Sequence, residues 1–171
     1  KSTIIKILLK YNKEYEGSIF INNYNLLDID ESIISTSFTY VSQLSYINND
    51  TLKNNIIYDR NISNKDYENV INICHVNKLR DSKKLRDNFV IEDNGFNISG
   101  GERQKVILAR ALLKKSNYIV LDEALSEVEF IEEKEILKKI IHYYKDKTII
   151  YISHKREIID LFNDKYYLER R

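Results

Sequence analysis

The chain has 171 residues, 43% of them hydrophobic and 31% charged, which is ordinary for one compact globular domain. Its formal net charge of +1 gives no electrostatic reason to expect binding to nucleic acid or to an anionic membrane surface. No apolar run is long enough to span a bilayer, and the single cysteine, Cys74, excludes an internal disulfide, as is typical of a reducing compartment.

The first quarter of the chain alternates helix and strand signals. The apolar spacing of residues 4–9 predicts a helix that is buried rather than lying at the surface. Residues 18–21 have the pattern of a strand, and the two asparagines at 22–23 predict a turn. A second strand is predicted at 38–42, and Gln43 follows it directly.

The middle of the chain is polar and rich in asparagine, with short helical patterns between residues 44 and 90. Ser63 and Asp66 precede a periodic apolar run, which predicts a helix start resembling a capping box. After a turn with paired glycines, a basic periodic helix is predicted at 102–115 and an apolar strand at 118–121.

The last part continues the same alternation. We expect a helix at 130–144, a β-branched strand at 148–153, a short helix at 155–162 and a final strand at 166–168. Strands that alternate with helices favour an α/β fold with a parallel sheet covered on both faces.

Two adjacent acids, Asp122 and Glu123, end the strand at 118–121. Ligands and catalytic groups collect at the carboxyl ends of strands in open α/β sheets. The first acid suits the coordination shell of Mg²⁺, and the second is placed to polarise an attacking water as a general base. The alternative is a pair of exposed acids at a strand end, which is common.

The glycine pair at 100–101 follows Ser99 and opens a helix. Glycines let the backbone approach a phosphate, the serine hydroxyl can donate, and the helix N-terminus carries partial positive charge, so this turn suits an anion. The alternative is a plain turn with a serine cap and Glu102 in the first helical turn.

Other candidate residues mean little alone. Lys1, Ser2 and Thr3 precede a helix, which fits either the tail of a P-loop or a solvated N-terminus with a Ser/Thr cap. His154 follows a strand and in isolation reads as a surface histidine, whereas His75 and His142 lack even that setting and are interpreted as structural or solvated.

In combination these residues resemble the motifs of ATP-binding-cassette (ABC) ATPases, and the resemblance covers essentially the whole chain. The stretch after the glycine pair, residues 103–113, is similar to the family's signature helix. The motifs stand in the family's order: Lys1-Ser2-Thr3, Gln43, Ser99-Gly100-Gly101-Glu102, Asp122-Glu123, residues 126–129 and His154.

The resemblance implies a P-loop NTPase (RecA-like) core with a mostly parallel sheet and an ABC-type α-helical subdomain at about 44–115. Residues 1–171 would then be a partial ABC ATPase domain without its N-terminal strands and the front of the P-loop.

It also implies roles for single residues, with ATP and Mg²⁺ as the cofactors. Glu123 is the expected base, and His154 and Gln43 complete the catalytic set. The residues expected at the nucleotide are Lys1, Ser2, Thr3, Ser99, Gly100, Gly101 and Glu102, and those expected at Mg²⁺ are Ser2, Gln43 and Asp122.

Within the family, the stretches at 41–43, 50–56 and 92–95 resemble the corresponding sequences of exporters. The sequence around the signature is similar to that of bacterial peptide and bacteriocin exporters. That resemblance implies ATP hydrolysis driving transmembrane export, a head-to-tail dimer with a second nucleotide-binding domain, and a site at the cytoplasmic face of the cell membrane. Because the chain contains no methionine, we expect that it begins inside a larger product with the membrane domain fused upstream.

The motifs depart from the family pattern at three positions. Glu102 replaces the commoner glutamine, Glu129 stands where aspartate is usual, and Asp93 stands where exporters usually have glutamate. None of these changes removes the expected base or the histidine.

Three other kinds of ABC protein are the alternatives, and the first, a non-hydrolysing regulatory cassette, is disfavoured by the presence of Glu123 and His154. The other two are non-transport proteins. One is a DNA-repair or chromosome-maintenance ATPase, but no heptad run and no basic stripe for nucleic acid is present. The other is a soluble protein acting in translation or cluster assembly, which the exporter-like runs disfavour.

Overall fold

The structure is a computed structural model that describes residues 2–42 and 45–167. Its helices are α1 (Ser2–Leu8), α2 (Glu31–Ser37), α3 (Leu52–Ile57), α4 (Asn64–Ile73), α5 (Val76–Ser82), α6 (Gly100–Leu112), α7 (Phe130–Tyr143) and α8 (Arg156–Ile159). Its strands are β1 (Phe20–Ile21), β2 (Tyr24–Asn25), β3 (Phe38–Ser42), β4 (Asp50–Thr51), β5 (Val90–Ile91), β6 (Tyr118–Asp122) and β7 (Thr148–Ile152).

The centre of the fold is a three-stranded parallel sheet in the order β3-β6-β7. Its register places Ser42 opposite Asp122, and Asp122 opposite Ile152, so all three strands end at the same level. The predicted α/β fold with a parallel sheet is confirmed.

Apolar side chains cover both faces of this sheet. On one face Ile119 and Leu121 of β6 join a large cluster that includes residues of α3, α4, α6 and α7. On the other face Val120 packs in a smaller cluster with Ile5 and Ile34, from α1 and α2. The alternation along β6 is the period of two that a strand imposes. The prediction that helices cover both faces is therefore confirmed.

The four helices α3 to α6 form one packed group, in which α6 contacts each of the other three. Their most deeply buried side chains have no exposed surface: Leu52, Ile56, Ile71, Val106 and Leu108. The predicted start of α4 is present, because Ser63 Oγ accepts a hydrogen bond from the Asp66 N–H at 3.1 Å. A division of the chain at about 44–115 stays a prediction.

Two short antiparallel ribbons lie outside the main sheet, one of β1 with β2 and one of β4 with β5. The predicted strand at 18–21 is shortened to Phe20–Ile21. The turn at 22–23 is confirmed, with left-handed φ angles of 48° and 69° at its two asparagines. Asparagine tolerates this region better than most residues, which is why the pair can connect two strands so tightly.

Several predicted boundaries were wrong. The helix predicted at 102–115 begins at Gly100 and ends at Leu112, because Ser99 caps it and the chain then turns, with a φ of 57° at Lys115. The strand predicted at 148–153 stops at Ile152, and the helix at 155–162 is only α8, Arg156–Ile159.

Two further expectations for the ends of the chain need correction. Tyr166 and Tyr167 are not in a strand, and Leu168 lies outside the described residues. Helix α1 exists but is not buried all round, since Ile4 is 49% exposed. Apolar spacing places a helix but does not say whether a second layer covers it. Among the described residues, no helix has the length and apolar character needed to cross a membrane.

Candidate functional site

Asp122, Glu123 and His154 lie together where the parallel strands end, and they are called the acid–histidine cluster below. Asp122 is the last residue of β6 and is only 6% exposed. The Glu123 N–H donates to the Ile152 carbonyl at 3.1 Å, which continues the pairing of β6 and β7 by one residue. β7 ends at Ile152, and His154 lies two residues beyond it, so the strand ladder itself brings the cluster together.

The side chains of Glu123 and His154 are in contact. His154 Nε2 lies 2.9 Å from Glu123 Oε1, and the two side chains are 74% and 27% exposed, respectively. Glu123 has a left-handed φ of 53°. This conformation costs a residue with a Cβ about 1–2 kcal/mol, and the Glu123 carbonyl helps to hold it by accepting from the Ser126 N–H at 3.1 Å. Backbone strain of this kind is concentrated at functional sites.

Asp122 has a hydrogen-bond partner that the sequence analysis did not find. The Tyr40 hydroxyl, on β3, donates to Asp122 Oδ2 at 3.3 Å. Burial and then the charge of Asp122 raise the pKa of Tyr40 to about 12, so the phenol keeps its proton at neutral pH. No local pattern in the sequence reports this contact, because it joins two strands that are distant along the chain.

The second predicted site is the glycine turn, residues 99–102. Ser99 caps α6, and its hydroxyl accepts from the Glu102 N–H at 3.2 Å. The Glu102 carboxylate in turn accepts from the Ser99 N–H at 2.8 Å and from its hydroxyl at 2.9 Å. The turn is therefore a complete capping box. The structure thus contains the features of the plain-turn alternative, a serine cap and Glu102 in the first helical turn. Ser99 is nevertheless exposed to solvent.

The two glycines of the turn lie against the segment after β6. A Cβ on Gly100 would lie 1.8 Å from Glu127 Oε2, the movable end of a side chain, and one on Gly101 would lie 2.8 Å from the Glu127 carbonyl oxygen. At position 101, where the neighbour is backbone, only glycine permits so close an approach of this segment to the start of α6.

Gln104 fastens the same two segments with both ends of its amide. Its Nε2 donates to Ser126 Oγ at 3.0 Å, and its Oε1 accepts from the Glu127 N–H at 2.9 Å. The side chain is 3% exposed. Sequence reasoning missed these roles of Gln104 and Glu127, because the burial that makes a polar side chain need partners is not visible in the sequence.

The remaining predicted site residues are only partly described. Ser2 and Thr3 begin α1 and are exposed. Lys1 and Gln43 lie outside the described residues, so the phosphate and magnesium roles of all four stay predictions. Among residues 2–42 and 45–167, no group of three or more His, Cys, Asp or Glu is arranged to hold a metal ion.

His75 is a buried structural residue, 5% exposed, as the sequence analysis expected. Its Nδ1 lies 3.2 Å from Glu132 Oε1, and its Nε2 lies 2.7 Å from Lys139 Nζ. Burial and the nearby lysine charge lower the pKa of His75, which favours the neutral ring.

Known proteins resemble this chain over most of its length. It is 36% identical over 161 residues to the lactococcin-G-processing and transport ATP-binding protein LagD of Lactococcus lactis, covering 92% of this chain and 23% of LagD. It is 32% identical over 169 residues to the microcin-J25 export ATP-binding/permease protein McjD of Escherichia coli, covering 98% of this chain and 29% of McjD. The chain thus spans less than a third of these relatives.

A solved structure of a bacterial Atm1-family ABC exporter with ATP bound superposes with a TM-score of 0.86 at 26% sequence identity. The match covers 93% of this chain and 28% of that chain. The family model described as ABC transporter matches residues 1–126. The chain therefore belongs to the ABC transporter family, whose ATPase fold it has.

Proposed function

We propose that this chain is the ATP-hydrolysing part of an exporter and that the acid–histidine cluster performs the hydrolysis. The observation that carries the proposal is the 2.9 Å contact between His154 Nε2 and Glu123 Oε1, directly after Asp122 at the end of a parallel sheet. Ligands of open α/β sheets bind outside the carboxyl ends of the strands, where these three side chains lie.

In this proposal Glu123 is the general base. Its carboxylate accepts a proton from the water that attacks the γ-phosphate of ATP. His154 holds that carboxylate through its Nε2 and contacts the γ-phosphate itself. The ring is 74% exposed, so a bound nucleotide can reach it without displacing any core side chain.

Asp122 is the proposed magnesium ligand on β6, with Ser2 and Gln43 as further oxygen donors. Oxygen ligands are those that Mg²⁺ prefers, and it is usually held by one or two carboxylates plus substrate phosphates. Asp122, nearly buried at the end of β6, is a carboxylate of this kind. When bound, the ion neutralises negative charge on the β- and γ-phosphates. Tyr40 fixes the orientation of Asp122 by donating to its Oδ2.

Lys1, Ser2 and Thr3 are proposed to hold the phosphates of the same nucleotide, in front of helix α1. The glycine turn is proposed to act on a second nucleotide, held by another copy in a head-to-tail dimer. Support comes from the exposure of Ser99 and from the position of the turn at the N-terminus of the thirteen-residue helix α6, where backbone N–H groups suit a phosphate. Glu102 serves there by fixing Ser99 within the capping box.

We further propose that a membrane domain lies in the same polypeptide and that ATP hydrolysis at the cytoplasmic face drives export of a peptide. The name of McjD joins an ATP-binding part to a permease, and the chain spans 29% of that protein. The names of McjD and LagD refer to microcin-J25 and lactococcin-G, which motivates the peptide proposal.

The test of the hydrolysis proposal is Glu123→Gln in the full-length protein. We expect steady-state ATP turnover to fall by roughly 10²–10⁴-fold, the usual contribution of a general base, while ATP binding is retained. Glu135→Gln, an exposed change on α7, is the matched control and should leave turnover intact. Normal turnover by Glu123→Gln would remove the base assignment.

The export proposal needs a separate measurement. The full-length protein is reconstituted into sealed vesicles with its ATP site outside, and ATP-dependent uptake of a labelled peptide is followed. Glu123→Gln should abolish uptake. A protein that hydrolyses ATP but accumulates no member of a panel of bacterial export peptides would contradict the peptide proposal and leave the hydrolysis proposal standing.

A further inference from the structure

A buried carboxylate behind the acid–histidine cluster has no place in the proposed reaction. Glu133 lies in the first turn of α7 and is 1% exposed. Both of its oxygens are engaged: Oε1 accepts from the Tyr151 hydroxyl at 2.5 Å, and Oε2 accepts from Lys155 Nζ at 2.5 Å. A buried carboxylate oxygen without a partner is strongly unfavourable, so we expect both contacts to persist.

The two partners of Glu133 lie on both sides of His154 in the chain. Tyr151 is in β7 before the histidine, and Lys155 follows it directly. The Lys155 N–H also donates to Ser153 Oγ at 3.0 Å, which closes a tight turn around the histidine. The carboxylate of Glu133 on α7 therefore binds both ends of the short segment, residues 151–155, that contains His154.

His154 needs such a support because burial does not hold it. Its side chain is 74% exposed, whereas Tyr151 is packed in the large core cluster and stacks on Phe162 with a ring separation of 5.7 Å. Lys155 is intermediate, with 34% of its side chain exposed, so its position depends on the charge of Glu133. The packed Tyr151 and the ion-paired Lys155 thus determine the position of the exposed His154 ring.

We infer that Glu133 is a positioning residue for His154, acting through Tyr151 and Lys155 to keep the imidazole in reach of Glu123. This inference rests on the proposed function of His154. Glu133 itself touches neither the nucleotide nor the reacting water. Because misplacement of a catalytic group by about 1 Å can cost roughly 100-fold in rate, loosening this support should be visible in kcat.

The test uses Glu133→Gln in the full-length protein, with kcat and KM for ATP measured separately. Glutamine keeps the size of the side chain but weakens the hold on Lys155. We expect kcat to fall by roughly 10- to 100-fold with little change in KM. Glu135→Gln, exposed on the same helix, is the matched control. Lys155→Arg should retain most of the rate, because it keeps the charge, and Lys155→Met should lower it as Glu133→Gln does.

A double-mutant comparison separates positioning from general destabilisation. In a His154→Ala background, Glu133→Gln should lower kcat no further, because the group it positions is gone. An equal further loss in that background would overturn the inference, as would an unchanged kcat in Glu133→Gln alone. If His154→Ala itself leaves turnover unchanged, the proposed role of His154 fails instead, and the two failures are therefore distinguishable.

Discussion

The acid–histidine cluster and the glycine turn lie close in sequence but are built in different ways. The cluster is assembled by strand pairing: β6 and β7 run in parallel register until Asp122 meets Ile152, and the side chains beyond that point touch. The turn is assembled locally by a capping box within residues 99–102. One site is a product of the whole sheet, and the other is nearly complete in four residues.

The two sites also differ in how they are fastened to the rest of the molecule. The cluster inherits its rigidity from the core beneath β6. The turn relies on polar contacts from two consecutive residues of α6: Gln104 bonds to residues 126–127, and Lys105 pairs with Glu132. This difference predicts that the two sites can be disturbed independently, and four measurements address it.

The largest effect is expected from Leu121→Ala. Leu121 is fully buried in β6 between Val41 and Tyr151 of the neighbouring strands. Its truncation should lower the free energy of unfolding by about 2–5 kcal/mol, measured by urea titration. The acid–histidine cluster should be lost in step with the core. A loss below 1 kcal/mol would show that the cluster does not depend on the sheet.

The second measurement is acid titration of Glu132→Gln. Burial alone would raise the pKa of Glu132, but hydrogen bonds from Lys105 and Lys78 outweigh it and lower the pKa to about 2. A carboxyl whose pKa is lowered in the folded state stabilises the fold at pH values above its unfolded pKa of about 4.3. This contribution disappears as the pH falls toward about 2.

Glu132→Gln should therefore be less stable than the original at pH 7, by up to about 3 kcal/mol, with the gap closing between pH 4.5 and 2. Exposed Glu135→Gln is the control and should keep the original pH profile. A gap that stays constant with pH would mean that the charge of Glu132 does not fasten α6 to α7.

The third effect comes from the glycines themselves. Gly101→Ala would push a Cβ against the backbone oxygen of Glu127, which cannot move alone, whereas Gly100→Ala meets only the flexible end of that side chain. We expect Gly101→Ala to cost about 1–3 kcal/mol in unfolding free energy and Gly100→Ala much less. Equal losses of unfolding free energy in the two variants would indicate that the backbone after β6 moves as easily as the Glu127 side chain.

Ser99→Ala is expected to give the smallest effect. It removes the cap of α6, a loss of about 1 kcal/mol in unfolding free energy by thermal or urea unfolding. Ser99→Asn, which can also cap a helix, should recover most of that loss. If neither change alters stability, the capping box does not hold the turn.

Local patterns in the sequence predicted a large part of this fold. The strand at 38–42 has the predicted bounds, and the strand at 118–121 extends only to Asp122, because strand periods and strand ends are local properties. The expected neighbourhood of Glu123 and His154 came from the family resemblance, since the strand-end position of His154 alone favoured a surface histidine.

Contacts between distant segments escaped the sequence analysis. Glu127, in the segment after β6, lies against Gly100, and Tyr40 of the adjacent strand donates to Asp122. Neither contact has a spacing that a pattern along the chain could report. The exposure of Ile4 escaped for a related reason, since it depends on what packs against α1 and not on the helix itself.

The left-handed backbone at Glu123 has an evolutionary consequence. A φ of 53° suits asparagine far better than glutamate, so a glutamate at this position comes at some expense to folding. In a duplicated copy that no longer needs turnover, asparagine would relieve the backbone strain at this position. Loss of ATP hydrolysis without loss of folding should therefore begin with substitutions of Glu123, the proposed general base.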